Sequence, residues 1–231
     1  MKIKSLIGAL TLGLAAVSVN AQQIEVTITN LTHGIYFTPF VVGAHDADFH
    51  VFQVGQAAST ELTAQAEGGD IVGVSGLLDD VQAVVVENPA GGLLAPAASA
   101  TLEMDTGTNE YLSLTSMLLP TNDGFAGLDA WQIPSTAGTY WIHVNAYDAG
   151  TEANDEIING GGAPGTPGIP AAPGMDAGTG ATGVTTEETN NTVHIHRGAV
   201  GDDSLTDGKS DLDNRIHRWL NPVLRVRVVV Q

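Results

Sequence analysis

The chain has 231 residues, with 26 Asp and Glu against 8 Lys and Arg, a formal net charge of −18, 28 Gly and no Cys. This length corresponds to one globular domain. The missing cysteines exclude disulfide scaffolds, thiolate zinc sites and cysteine nucleophiles. The strong negative charge argues against nucleic acid or an anionic membrane as a partner.

The first 21 residues have the pattern of a secretory signal peptide. Lys2 and Lys4 precede an apolar run over 6–17, and small residues follow at the two positions that a signal peptidase reads, ending at Ala21. The run is too short to span a bilayer comfortably, and no later stretch reaches the roughly 20 apolar residues of a transmembrane helix. We therefore expect cleavage after Ala21 and a secreted domain over 22–231, located outside the cell, at its surface or in the periplasm.

The mature chain begins with the alternation typical of a half-buried strand, because Ile24, Val26 and Ile28 are separated by polar residues. Similar short runs recur along the chain, and most are bounded by Gly, Pro, Asn or Asp. These further predicted strands cover 35–42, 50–54, 71–75, 82–87, 100–104, 111–119, 139–147, 192–196 and 223–230. Many short strands predict an all-β sandwich or barrel.

Two short helices are predicted between the strands. The first covers 58–66, where Ser59 is a candidate N-cap and Gly68 and Gly69 end the helix. The second covers 211–220 and ends before Pro222. The sequence contains no glycine-rich nucleotide-binding motif and no βαβ alternation, so nucleotide-binding α/β folds have no support.

The segment 159–183 consists almost entirely of Gly, Pro, Ala and Thr, with Ile169 and Met175 as its larger apolar residues. Such a composition buries too little surface to offset the entropy of ordering it. We expect a flexible surface loop that has little contact with the core of a single domain.

Acidic residues follow two of the best predicted strands. Asp123 comes after the strand over 111–119, and Asp148, Glu152, Asp155 and Glu156 come after the strand over 139–147. Carboxylates that converge from separate loops at one end of a sandwich form an oxygen-only cage suited to Ca²⁺. Acidic turns that simply terminate strands are the alternative interpretation.

Histidines offer a competing metal site. His194 and His196 lie two residues apart on a predicted strand, which places both imidazoles on one face about 7 Å apart. Together with His143 or His217 they would suit copper or zinc, and the chain would then be an exported metalloenzyme. Histidines exposed at a strand end are the simpler interpretation, because the sequence shows no H-E-x-x-H motif and no identifiable general base.

Other site classes fail on their motifs. Asp203, Asp207 and Gly208 match fragments of an EF-hand loop, but Leu205 stands where an oxygen ligand belongs and Asn214 where the bidentate Glu belongs. The sequence contains no G-x-S-x-G motif, and no nucleophile has an identifiable base. We expect no catalysis.

Three sequence blocks resemble the spondin N-terminal domain family in its bacterial stand-alone form. They are SMLLPTNDGF at 116–125, WIHVNAYDAGTE at 141–152 and DLDNRIHRWLNP at 211–222. In animals this domain belongs to extracellular-matrix and adhesion proteins such as F-spondin. The resemblance implies an antiparallel C2-like β-sandwich of about eight to ten strands that binds calcium.

The resemblance also implies which residues bind the calcium. Carried over to this chain, the family's ligands fall on Asp123, Asp148 and Glu152, where Glu152 replaces an Asp of the animal pattern. Gly124 intervenes before the aromatic residue that follows the first ligand. The implied function is a secreted, non-catalytic calcium-binding module for extracellular or cell-surface adhesion, with an extracellular protein or a glycan as its partner.

Overall fold

A computed structural model describes residues 22–163, 166–175, 178–204 and 206–231. The predicted signal peptide lies outside these residues. The described residues form ten strands and two helices. The strands are β1 (Gln23–Asn30), β2 (Tyr36–Phe37), β3 (Val41–His45), β4 (Val84–Glu87), β5 (Ser99–Asp105), β6 (Tyr111–Leu119), β7 (Gly124–Gln132), β8 (Gly138–Asp148), β9 (His194–Ile195) and β10 (Leu224–Val230), and the helices are α1 (Thr60–Gly68) and α2 (Val72–Asp80).

All strand pairs are antiparallel, and the main order is β4-β3-β6-β7-β8-β10-β1-β5, with β2 on β6 and β9 on β8. The long strand β8 belongs to two halves of this sheet. Its residues 138–144 pair with β10, and its residues 145–148 pair with β7. Side chains from both halves share one hydrophobic core, which gives the all-β, sandwich-like fold that the sequence predicts.

The core follows from the period of two along the strands. Ile24, Val26 and Ile28 of β1 are buried, while Glu25 and Thr27 between them are partly exposed. The opposite half of the sheet contributes buried aliphatic side chains from β3 and β6 to the same core. Each such side chain contributes about 1.5–3 kcal/mol by leaving water.

A second hydrophobic cluster lies on the other face of β3, β6 and β7, where α1 and α2 pack. Ser59 caps α1 by accepting a hydrogen bond from the amide of Leu62, and Gly69 ends it in the left-handed conformation at φ 72°. Leu78 of α2 lies against Gly43 of β3, where a Cβ atom would be 2.7 Å from the leucine side chain. The first predicted helix is therefore confirmed, and a helix layer covers the sheet there.

Two predicted strands are wrong. Residues 72–75 belong to α2, with Ile71 as its N-cap, and residues 50–54 form no strand in the structure. The amides of Val51 and Phe52 donate to Oδ1 of Asp129 instead of to a neighbouring strand. A strand over 124–132, β7, was not predicted, because its Gly-rich sequence lacks the usual apolar alternation.

The predicted helix over 211–220 is also wrong, because this segment consists of turns and bends. The Asp213 side chain accepts a hydrogen bond from the amide of Arg215, and His217 Nδ1 accepts one from the amide of Asp213. Side-chain acceptors of this kind compete with helical hydrogen bonds for the backbone amides.

The Gly/Pro-rich segment contacts the core, so the prediction of little contact is wrong. Ile169 is fully buried and Ala172 is 4% exposed. The Thr179 amide and hydroxyl donate to Oδ1 of Asp211 at 2.6 and 2.8 Å. Buried apolar side chains and a shared carboxylate therefore attach this segment to the domain, whereas its flexibility stays a prediction.

Both arginines of β10 have side-chain partners on the outer face of the sheet. Arg227 pairs with Glu25 of β1 at 2.5 Å, and Arg225 stacks over the Trp141 ring at 5.0 Å.

We expect Arg227→Glu to destabilise the fold by about 1 kcal/mol or more at 50 mM NaCl and by less at 1 M NaCl, because salt screens repulsion between exposed charges. Urea unfolding at both salt concentrations tests this. An equal loss at both would instead indicate lost packing of the arginine stem.

Candidate functional site

The loops that follow β6 and β8 meet at one end of the sheet. Gly124 of β7 pairs with Asp148 of β8, and the Ala149 amide donates to the Asp123 carbonyl at 3.2 Å. This register places Asp123, which immediately precedes β7, beside Asp148, which is the last residue of β8. Two carboxylates distant in sequence therefore become neighbours because β7 and β8 form an antiparallel pair.

Asp123 is completely buried. Its Oδ2 accepts hydrogen bonds from the Thr151 amide at 2.8 Å, the Thr151 hydroxyl at 3.2 Å and the Glu152 amide at 3.1 Å. Its Oδ1 is buried and has no hydrogen-bond partner among the described residues. One oxygen therefore organises the 149–152 loop, and the other is available to a ligand.

Asp148 is 3% exposed. Its Oδ1 accepts from the Gly150 amide at 2.9 Å, and its Oδ2 accepts from the Asn154 side-chain amide at 2.7 Å. Burial, followed by the negative charge of Asp148, raises the pKa of Asp123 to about 7. The two carboxylates therefore repel each other when both are ionised, and a cation between them would relieve that repulsion.

The Glu152 carboxylate faces a different set of groups. Its Oε2 accepts from the Gly168 amide at 3.0 Å and from the Asn122 side-chain amide at 3.5 Å, while its Oε1 is buried without a partner among the described residues. Burial is the largest cause that raises its pKa to about 7; the Gly168 hydrogen bond opposes the rise, and the charges of Glu67 and Asp155 add to it. The structure thus brings Asp123 and Asp148 together but turns Glu152 towards the Gly/Pro-rich segment.

The described part of the chain contains no group of three or more His, Asp or Glu side chains arranged to hold a metal ion as it stands. The donor chemistry nevertheless fits a hard cation. Asp123 Oδ1 and Glu152 Oε1 are buried carboxylate oxygens without donors among the described residues, and oxygens of this type are the ligands of Ca²⁺. A three-carboxylate site requires the Glu152 side chain to rotate towards Asp123.

Sequence reasoning did not identify the asparagines of these loops. Asn122 donates to Asp155 Oδ1 at 2.9 Å and accepts from the Glu156 amide at 3.2 Å, while Asn154 holds Asp148. Each asparagine directly precedes an Asp in the sequence, and this position in the acidic loops is the signal that could have identified it. They fix the two loops relative to each other.

Glu156 is occupied elsewhere. Its carboxylate accepts from the amides of Val200 and Gly201 at 2.5 and 2.9 Å and from the Ser210 hydroxyl at 2.5 Å. All of these donors come from the segment before β10. Glu156 therefore attaches that segment to the acidic loop.

A family model described as Spondin_N matches residues 29–156, which includes both acidic loops. The chain belongs to the spondin N-terminal domain family. This family is associated with the extracellular space and is generally non-enzymatic. A comparison with curated proteins finds no match.

In this spondin domain His194 and His196 lie beside Asp148. His194 Nε2 is 3.8 Å from Asp148 Oδ2, and its Nδ1 bonds to the Thr192 carbonyl at 2.8 Å. His196 is buried, and its Nδ1 accepts from the Gly198 amide at 3.0 Å, so its proton resides on Nε2, which has no partner in the described part of the chain. Burial lowers the pKa of His196 to about 4, so this imidazole is neutral at pH 7.

The other two histidines of the predicted soft-metal site lie apart from this pair. His143 lines a groove on the outer face of β7 and β8, and His217 Nδ1 accepts from the Asp213 amide at 3.0 Å. Within the described residues, no hydrogen bond or ion pair joins either of them to His194 or His196.

No helix in the described part of this spondin domain is long and apolar enough to cross a membrane.

Proposed function

We propose that this spondin domain is a secreted, non-catalytic module that binds calcium at the end of β7 and β8 and mediates extracellular or cell-surface adhesion. Its partner would be an extracellular protein or a glycan. The membership in the spondin family supports an extracellular role. The signal-peptide pattern over 1–21 supports export.

The single observation that carries the calcium proposal is the Asp123 carboxylate. Its Oδ1 is buried beside the carboxylate of Asp148, and no group in the described part of the chain donates to it. A buried acceptor without a partner costs about 1–3 kcal/mol, and more when it is charged. A bound cation supplies the missing partner and offsets the repulsion between the two carboxylates.

In the proposed site Asp123 and Asp148 are the fixed ligands, and Glu152 joins them after its side chain rotates. Backbone carbonyls and water supply the remaining ligands. Ca²⁺ accepts six to eight oxygens in flexible geometry, whereas Mg²⁺ requires nearly ideal octahedral geometry. A site assembled from two loops therefore suits Ca²⁺ better.

Calcium is expected to raise the thermal midpoint of the wild-type domain, because a ligand that binds only the folded state stabilises it. The gain is about 2.7 kcal/mol at a hundredfold excess over Kd. Asp148→Asn should abolish this gain, and Glu87→Gln, which removes one exposed charge from β4, should retain it. Differential scanning calorimetry with matched ionic strength from NaCl measures the difference.

The calcium assignment is wrong if wild type and Asp148→Asn gain equally from millimolar calcium. General screening of the acidic surface would then explain the gain. Isothermal titration with calcium gives an independent measure, since screening produces no saturable binding. Glu152→Gln should weaken the affinity less than Asp148→Asn, because its carboxylate must first leave Gly168.

The second candidate is an exported copper or zinc enzyme that uses His194 and His196. The proximity of both imidazoles to Asp148 is the observation in its favour. Elemental analysis of the purified domain separates the candidates. Stoichiometric copper or zinc would favour the enzyme, calcium alone would favour the adhesion module, and no metal after dialysis against calcium would exclude both sites.

A further inference from the structure

A groove of about 380 Å³ lies on the outer face of β7 and β8, and none of Asp123, Asp148 or Glu152 lines it. His143, Asn145 and Tyr147 point into it from β8, because the alternate residues of that strand point inwards. The volume falls in the lower part of the roughly 300–1,000 Å³ range of small-molecule sites. The groove is therefore a second candidate site, distinct from the acidic loops.

One wall of the groove is a preorganised pair of side chains. His50 Nδ1 bonds to Asp129 Oδ2 at 2.5 Å, and Asp129 Oδ1 accepts from the Val51 amide at 2.7 Å. Both oxygens of Asp129 are thus used inside the protein. The His50 ring is held through Nδ1, its Nε2 has no partner within the described ranges, and its side chain is 40% exposed.

The aromatic part of the groove is rigid. Tyr147 packs on Phe52 at 4.9 Å and stacks with Phe125 at 5.6 Å between ring centroids. Gly127 makes room for this packing, since a Cβ atom there would be 2.5 Å from the Phe52 ring. Phe52 and Phe125 are buried and hold the partly exposed Tyr147 ring in one orientation, so a flat apolar face could pack on Tyr147 at low entropic cost.

The polar side chains of the groove are available to a ligand. Four polar side chains that line the groove have no hydrogen-bond partner among the described residues: His143, Asn145, Gln53 and the hydroxyl of Tyr147. His50 and Asp129, which also line it, are bonded to each other. Amides, imidazoles and phenols both donate and accept hydrogen bonds without carrying a charge. They match a ligand rich in hydroxyl groups, which also donate and accept.

The charge of the groove selects a neutral ligand. Of the described residues that line it, Asp129 has the one carboxylate, and His50 is bonded to it. The chain as a whole has a formal charge of −18. The groove is therefore a nearly neutral patch on a strongly acidic surface, where an anionic ligand would be repelled by the surrounding field.

We propose that this groove binds a neutral glycan, with one sugar face stacked on Tyr147 and its hydroxyls bonded to His143, Asn145 and His50. Trp141 is 58% exposed on the same face of β8 and extends the row of side chains to about 20 Å, at about 3.4 Å per residue. That length suits a chain of sugars. The proposal gives a partner to the interaction role proposed above, but it requires no calcium.

Affinity electrophoresis in gels that contain a neutral polysaccharide tests the proposal. The probes are a β-1,3-glucan, hydroxyethyl cellulose, glycogen and a galactomannan, each with EDTA and with calcium. At least one probe should retard the wild-type domain under both conditions. His143→Ala and Asn145→Ala should weaken that binding at least tenfold, whereas Thr139→Ala, on the same face of β8 but outside the groove, should not.

Three results would overturn the glycan proposal: no retardation by any probe, variants that bind like the wild type, or binding that is lost in EDTA. Stoichiometric zinc binding that disappears in His50→Ala and His143→Ala, without glycan binding, would make the groove a metal site instead. Circular dichroism shows whether each variant is folded. A domain without a calcium-dependent midpoint but with glycan binding would refute the calcium site alone.

Discussion

Ile169→Ala is expected to lower the free energy of unfolding by about 2–5 kcal/mol, which is the usual cost of truncating a fully buried Ile. Ile169 is completely buried in the main core, although it lies within a segment of Gly, Pro, Ala and Thr. The amide of Ile169 also donates to the Ile157 carbonyl at 2.9 Å. Urea unfolding measures the loss.

The matched control is Thr166→Ala, an exposed position in the same segment, which should change stability by less than about 0.5 kcal/mol. Replacing 161–179 by a short Gly-Ser linker should cost at least as much as Ile169→Ala, because Asp211 also loses the Thr179 donors. If both changes leave stability at the wild-type value, the segment is not packed in solution, and its predicted flexibility is the better description.

In EDTA, the stability of the wild-type domain is expected to fall as the pH rises from about 5 to 8. Asp123 and Glu152 have a pKa near 7 in the folded state against 3.8 and 4.5 ordinarily, so the folded state holds protons that the unfolded chain has released. The contribution of these two carboxyl groups to the stability of the fold is fully present below pH 4 and is lost as the pH rises through 7. His196, with its pKa lowered from 6.5 to about 4, opposes part of this fall below pH 6.5.

Asp123→Asn tests the origin of the fall. An amide mimics the protonated carboxyl group, so this variant should be more stable than wild type at pH 8 in EDTA and should match it near pH 5. In calcium the order should reverse, because the variant lacks a ligand. Thermal midpoints across the pH range provide the measurement, with Glu87→Gln as the charge control, and an unchanged slope in Asp123→Asn would contradict the assignment.

Part of the candidate calcium site is predictable from the sequence. The two acidic loops and the positions Asp123 and Asp148 are visible in the sequence, because each follows an apolar run that forms a strand. The orientation of Glu152 was not predictable. Its carboxylate turns to the Gly168 amide, 16 residues later in the chain, and only the folded Gly/Pro-rich segment brings that donor there.

The groove on β7 and β8 was also not predictable from the sequence. Residues 50–54 have the composition of a strand, but Asp129 binds their amides and converts them into a groove wall. The strand β7 that carries Asp129 lacks the apolar alternation of a strand. Its backbone is ordered because β6 and β8 pair with it on both sides, and such partners are distant in sequence.

The sequence by itself determined the features that depend on neighbouring residues. The alternation of Ile24, Val26 and Ile28 specified β1, and Ser59 with Gly69 specified the ends of α1, because side-chain period and capping are local properties. Tertiary structure decided that 72–75 became part of a helix, because α2 packs Leu78 over Gly43 of β3. It also decided which oxygens of the buried carboxylates are paired within the described residues, because donors such as Thr151 for Asp123 and Gly168 for Glu152 are distant in sequence and no local pattern encodes those contacts.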